Sequence, residues 1–247
     1  MFNPLTAPLV ALITALSIMP LGACADTVVE LETILPEESI EVEVTIDYSK
    51  PLSSSEAVSN DWFENTAFIG HSLIQGLSDS EVLPEADYYH LAGSSVSSLL
   101  SSGKVKQPDG SSKSLVSGLE KQTYEKVYLM MGINEVAGTK KAMKADYLKL
   151  INTVRTYNPD AEIYVLAVLP VSYSKSSAGT FTIERIQAYN EMLREICGEE
   201  QCWYVDLYAC FANEDGYLPS SAATDGIHLK SKQYTVMLDY LRTHTAS

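Results

Sequence analysis

At 247 residues, with 46% hydrophobic and 20% charged side chains, the chain is long enough for one α/β domain or two small ones and can bury a sizeable core. Its formal net charge of −15 excludes the basic footprint that a phosphate backbone requires, so no nucleic-acid partner is expected. Acidity of this degree bears on partners and solubility and leaves the fold open.

The opening stretch, MFNPLTAPLVALITALSIMPLGACADT, has no charged side chain before Asp26 and holds an apolar run from Leu9 to Met19. That run is too short to span a bilayer and suits the h-region of a signal peptide, although no basic n-region precedes it. Two cleavage readings compete. Leu21-Gly22-Ala23-Cys24 is similar to a bacterial lipobox, which makes residues 1–23 the signal and Cys24 the lipidated first residue of a surface lipoprotein. Ala23-Cys24-Ala25 equally satisfies the small-x-small rule and would release a secreted protein after Ala25. A lipid at Cys24 is the one membrane attachment expected.

Residues 24–60 are acidic and Ser-rich. Alternation from Ile40 to Ile46 could form a strand, but the charge density and the flanking Pro36 and Pro51 favour a solvated tether. The domain proper is expected over 61–247. Short apolar runs there read as strands at Thr66–Ile69, Ala86–Leu91, Lys126–Met131, Glu162–Leu169 and Cys202–Asp206. Helical stripes lie between them. Met143, Tyr147, Ile151 and Val154 mark one in Lys140–Tyr157, stopped by Asn158-Pro159. Ile183, Ile186, Leu193 and Ile196 mark a second, closed by Gly198, and Tyr234, Met237, Leu238 and Leu241 a third. Strands separated by helices require crossovers, which predicts a three-layer α/β/α sandwich around a mostly parallel, five-stranded sheet. Ligands gather at the carboxyl ends of the strands in such sheets.

Those strand ends carry four short blocks: Gly70-His71-Ser72, Gly93-Ser94-Ser95, Gly132-Ile133-Asn134-Glu135 and, before the last helix, Asp225-Gly226-Ile227-His228. Together and in this order they resemble the blocks of the SGNH, or GDSL-type, serine hydrolases, over a stretch from Phe68 to Leu229. The resemblance implies the flavodoxin-like fold of that family, an esterase activity and no cofactor. It assigns the oxyanion donors to the backbone N–H groups of Ser72 and Gly93 and the side-chain amide of Asn134. The first block departs from the family pattern, since His71 stands where aspartate is usual.

The chemistry can also be argued without the family. A serine hydroxyl is a weak nucleophile unless a base lies within hydrogen-bond reach, and the base needs a third group to hold its tautomer. Asp225 and His228, three apart across a Gly-containing turn, can set carboxylate beside imidazole, which makes Ser72, His228 and Asp225 the expected nucleophile, base and orienting acid. His71 is badly placed to deprotonate its own neighbour, because adjacent residues point apart.

Other candidates read as structural. Asp206 could compete as the triad acid but suits a loop cap; Glu135 suits loop support; His90 sits in a strand pattern and His244 in the tail. Tyr173, Phe181 and Tyr217 flank strand-end loops and are candidates to line a pocket. Cys197 and Cys202 could form a disulfide, leaving Cys210 over, or all three could be buried thiols. The absence of CxxC and HExxH gives no support to a metal site. The expected activity is an exported serine esterase that removes an acyl group, such as acetyl, from a carbohydrate, cell-wall or lipid-like substrate. The alternative is a catalytically impaired surface protein of the same fold that binds glycan.

Overall fold

The structure is a computed structural model that describes residues 46–246. The signal segment, Cys24, Ala25 and most of the expected tether lie outside the described residues.

Parallel strands β1 (Thr66–Gly70) and β2 (Asp87–His90) are followed by a hairpin of two-residue strands, β3 (Val105–Lys106) and β4 (Ser112–Lys113). Then come β5 (Lys126–Met130), β6 (Glu162–Leu166) and β7 (Trp203–Val205). The sheet order is β4-β3-β2-β1-β5-β6-β7. The expected parallel strands form its body, β2-β1-β5-β6-β7, and the antiparallel hairpin extends it at one edge to seven strands. So short a hairpin has no alternation for a sequence pattern to detect. Strand order reverses at β1, and a crevice at the carboxyl ends is expected at such a switch point.

Alternate residues of the strands feed two cores. Ala67, Ile69, Val127 and Leu129 face one side, covered by α2 (Val96–Ser101), α3 (Leu115–Leu119), α4 (Lys140–Tyr157) and α6 (Ile183–Glu200). Phe68, Tyr128, Met130, Tyr164 and Leu166 face the other, covered by α1 (Ser72–Asp79), α7 (Leu207–Phe211) and α8 (Ser231–Arg242). The short α5 (Tyr173–Ser177) lies in the loop after β6. On the second face Tyr88, Phe68, Tyr128 and Tyr164 stack across four adjacent strands at centroid distances of 5.7, 4.7 and 4.4 Å. In-register rings of this kind pin strand alignment.

Two long helices begin at threonine caps. Thr139 caps α4 and Thr182 caps α6 through their side-chain oxygens. The expected end of α6 at Gly198 is corrected. The helix runs on to Glu200 and ends at Gln201, which takes the left-handed conformation at φ 51°. Gly198 instead faces Ser49, whose Cβ lies 3.1 Å from where a Gly198 Cβ would sit. The last part of the expected strand Glu162–Leu169 leaves the ladder after Leu166. There the Asn190 side chain of α6 accepts from the Val168 N–H at 2.8 Å and donates to its carbonyl at 2.9 Å.

Ser49 belongs to a segment whose composition reads as tether but which packs on the domain. The compact unit begins at Asp47 rather than at 61. Tyr48 packs on Trp203 with centroids 4.7 Å apart, and the Leu52 N–H donates to the Tyr204 carbonyl at 2.9 Å. Ser55 and Val58 donate to the carbonyls of Thr243 and Arg242, at 2.7 and 3.0 Å. β7 is an edge strand with unpaired backbone groups, and this segment satisfies part of that edge. The three cysteines Cys197, Cys202 and Cys210 are free thiols, the first two buried.

Candidate active site

β1 ends at Gly70, His71 takes an extended conformation, and α1 starts at Ser72. The serine hydroxyl therefore stands on the first turn of a helix, above the carboxyl end of a central strand. His71 caps that helix. Its Nδ1 accepts from the Leu73 N–H at 3.3 Å, and the ring is buried with 1% of its surface exposed. Burial, reinforced by the nearby charge of His228, holds its pKa down at about 4, so the ring is neutral and keeps the lone pair that the cap requires.

His228 and Asp225 come from one tight loop before α8. Ala223 and Leu229 form an antiparallel bridge, and the Thr224 N–H donates to the His228 carbonyl at 2.8 Å. Inside the loop Asp225 Oδ1 accepts from the backbone N–H groups of Ile227 and His228 at 3.0 and 2.9 Å. Its other oxygen, Oδ2, lies 2.8 Å from His228 Nδ1. Desolvation alone would raise the Asp225 pKa. The hydrogen bonds from the His228 backbone and ring and from the Ile227 N–H outweigh it and draw the carboxyl below the usual carboxylate range. From the far side of the imidazole, Nε2 reaches Ser72 Oγ at 2.8 Å. Ser72, His228 and Asp225, 156 residues apart at the extremes of the chain's domain, thus form one hydrogen-bonded line. A hydroxyl, an imidazole and a carboxylate so arranged can move a proton off the hydroxyl and stabilise the imidazolium that results.

The loops after β2 and β5 flank Ser72, because those strands flank β1. Gly93 is exposed, has φ +70°, and meets nothing within 4 Å at the position of a Cβ. Only glycine holds that conformation without strain. Its N–H and that of Ser72 find no acceptor among the described residues. Asn134 stands on a 3-10 turn, Ile133–Glu135, after β5, and its Nδ2 donates to the Ser94 carbonyl at 2.9 Å. That bond uses one amide hydrogen and ties the two flanking loops together.

Glu135 makes a second tie, accepting from the Val96 N–H at 3.0 Å and the Tyr189 hydroxyl at 2.6 Å. Burial raises its pKa, against the lowering effect of those two bonds. Among the other candidates, Asp206 caps α7 by accepting from the Ala209 N–H at 3.2 Å and makes no bond to His228. His244 stacks on Tyr240 at 3.7 Å, and Phe181 packs against the core. Sequence reasoning misses Gln75, Gly76 and Tyr234, which line a cavity of about 340 Å³ beside Ser72 and His228. No motif marks them, since helix packing alone brings them there.

No curated protein is a significant match to this chain. Among solved structures, a GDSL-like lipase from Bacteroides thetaiotaomicron is similar at a TM-score of 0.55 and 12% identity, covering 76% of this chain and 90% of that one. An acetyl xylan esterase is similar at 0.52 and 15% identity, covering 71% and 96%. A Streptococcus pneumonia protein provisionally described as a platelet activating factor aligns at 0.57 and 21%, covering 72% and 82%. At these identities the likeness is one of fold. The profile of the GDSL-like Lipase/Acylhydrolase family matches residues 68–236, from the strand that delivers Ser72 to the helix behind His228. With its fold and more than half its length so matched, this chain belongs to the GDSL-like lipase/acylhydrolase, or SGNH hydrolase, family.

Proposed function

We propose that this chain is a serine esterase. The observation that carries the reading is the 2.8 Å approach of His228 Nε2 to Ser72 Oγ, with Asp225 at 2.8 Å from the other ring nitrogen. Ser72 Oγ attacks the ester carbonyl while His228 takes its proton. The C–O bond to the leaving alcohol then breaks, and His228 returns the proton to that alcohol. Water, deprotonated by His228, attacks the acyl-Ser72 carbonyl; the acyl–Oγ bond breaks, the acid leaves, and His228 returns the proton to Ser72 Oγ. The negative charge on the tetrahedral oxygen falls to the N–H groups of Ser72 and Gly93 and the amide of Asn134. Preorganised donors of this kind are each worth about 10²–10³ in turnover in a protease.

The substrates we infer are small acyl esters, including O-acetyl groups of carbohydrates, hydrolysed outside the cell by an exported protein. The resemblance of fold to an acetyl xylan esterase supports the acetyl preference. The apolar run before Cys24 supports export. A glycan-binding protein without activity is the weaker reading, because the Ser72–His228–Asp225 line is unbroken.

A fluorophosphonate probe with p-nitrophenyl acetate turnover tests the proposal. Wild-type protein should label covalently and Ser72→Ala should not. Asp225→Asn should slow turnover by up to about 10⁴-fold, since the imidazole loses its orienting anion. A folded wild-type protein that neither labels nor hydrolyses the ester would favour the binding reading.

A further inference from the structure

Tyr173 is 67% exposed, more than any other large hydrophobic side chain among the described residues. One exposed ring is unremarkable on a protein surface. This one is held edge-to-face on Tyr217, with centroids 5.3 Å apart and planes at 84°. Both rings line an open groove of about 720 Å³, a size that suits a ligand rather than a single water. Asp215, Ser174 and Ser220 bring a carboxylate and hydroxyls to the same groove, and Pro219 completes a mixed polar and apolar wall.

The groove is fastened to the loop that carries Asp225 and His228. On one side Ser172, the residue before Tyr173, donates its N–H to the Gly226 carbonyl at 2.8 Å. On the other, the Lys230 ammonium donates to the carbonyls of Ser220 and Ser221 at 3.2 and 2.9 Å. The Leu218 N–H joins the two walls by donating to the Val171 carbonyl at 3.0 Å. A ligand in the groove therefore lies on a braced surface bonded to the loop that carries Asp225 and His228.

We propose that this groove is a subsite for an uncharged sugar ring that continues the chain beyond the acylated unit; the proposal rests on the esterase reading. The chemistry of the lining selects that class. A pyranose ring offers a face of C–H groups to an exposed aromatic plane and a rim of hydroxyls to acceptors and donors. Asp215 and the serine hydroxyls supply those partners. Asp215 is the one acidic side chain of the lining and no basic one faces it there, which disfavours an anionic sugar, and the net charge of −15 acts in the same direction. A lipid-like chain would need continuous apolar walls, which the serines and Asp215 interrupt. Tyr173 thereby sets the enzyme's preference for acylated oligosaccharides over simple esters.

The test compares full-length wild-type and Tyr173→Ala proteins on p-nitrophenyl acetate and on chemically O-acetylated cello-, xylo- and mannotetraose. The readout is the ratio of kcat/KM on each tetrasaccharide to kcat/KM on p-nitrophenyl acetate. Loss of one aromatic contact should lower that ratio roughly 3- to 10-fold for the preferred tetrasaccharide, chiefly through KM. Tyr173→Phe should restore it, since the plane and not the hydroxyl is required. An unchanged ratio in Tyr173→Ala would overturn the subsite. So would a wild type that hydrolyses p-nitrophenyl acetate but none of the tetrasaccharide esters, and the esterase reading would then stand without it. Hydrolysis of neither substrate class would defeat the esterase reading, and the subsite with it.

Discussion

His71 fills the place of an aspartate in the first block and keeps one of the tasks an aspartate could perform there, capping the helix that carries Ser72. It does so without charge. The cost appears in acid. Its pKa is about 4 in the folded protein against about 6.5 in an unfolded chain, so between those values the unfolded state binds a proton that the folded state does not. The stabilisation is fully present above about pH 6.5 and is lost as pH falls toward 4, amounting to about 2–3 kcal/mol between pH 7 and 4.5. Urea midpoints at those two pH values should show this loss in wild type and a smaller loss in His71→Asn, where an amide oxygen caps the helix without titrating. An equal loss in both would refute the lowered pKa of His71. The sequence identifies His71 as a departure from the family pattern. The cap contact depends on the fold, because a buried ring and an exposed one read alike.

At the scale of elements, the site depends on how α1 meets α8. Ser72 rides on the first and His228 precedes the second, and the contact between them is Gly76 against Tyr234. A Cβ at Gly76 would fall 1.9 Å from the Tyr234 hydroxyl and 2.5 Å from its ring. Alanine is intrinsically the better helix residue by about 0.8–1 kcal/mol. The overlap with a rigid ring should outweigh that gain, as overpacking typically costs about 1–3 kcal/mol. Gly76→Ala is thus expected to lower the thermal midpoint and to reduce p-nitrophenyl acetate turnover by displacing His228 from Ser72. A variant as stable and active as wild type would show that the helices can part freely. Nothing in the spacing of α1 reveals this, because a glycine inside a helical pattern looks like a defect until its neighbour is known. Gly198 misleads in the same way: it reads as the stop of α6 but serves the close approach of Ser49.

For the whole molecule, the segment 47–60 decides where the domain begins. Its serine-rich composition reads as tether, yet its backbone is bonded to Tyr204, Arg242 and Thr243 and Tyr48 covers Trp203. The Arg194 guanidinium also donates to the Ser49 carbonyl at 3.1 Å. A protein beginning at Asp47 should therefore melt higher than one beginning at Asp61. With each hydrogen bond worth about 1 kcal/mol and apolar cover besides, the gap should be on the order of 10 °C by calorimetry. Equal midpoints would return the segment to the tether. Composition misjudges it because a strand edge is covered by backbone groups, which every sequence possesses.

The alternation of apolar runs with helical stripes was enough to determine the layered α/β/α sandwich, its parallel strands and the bounds of α4. The four blocks at strand ends offered Ser72, Asp225 and His228 as candidates through their residue chemistry and local spacing, and Gly93 and Asn134 through the family resemblance. Only the tertiary structure decided that Ser72 Oγ and His228 Nε2 stand 2.8 Å apart, that His71 is a buried cap, and that Tyr173 and Tyr217 share a groove bonded to the His228 loop. The first and the last join residues far apart in sequence, and the second depends on burial of the ring, which the packing of helices on a sheet supplies. Packing depends on shape summed over both partners, which no single stretch of sequence contains.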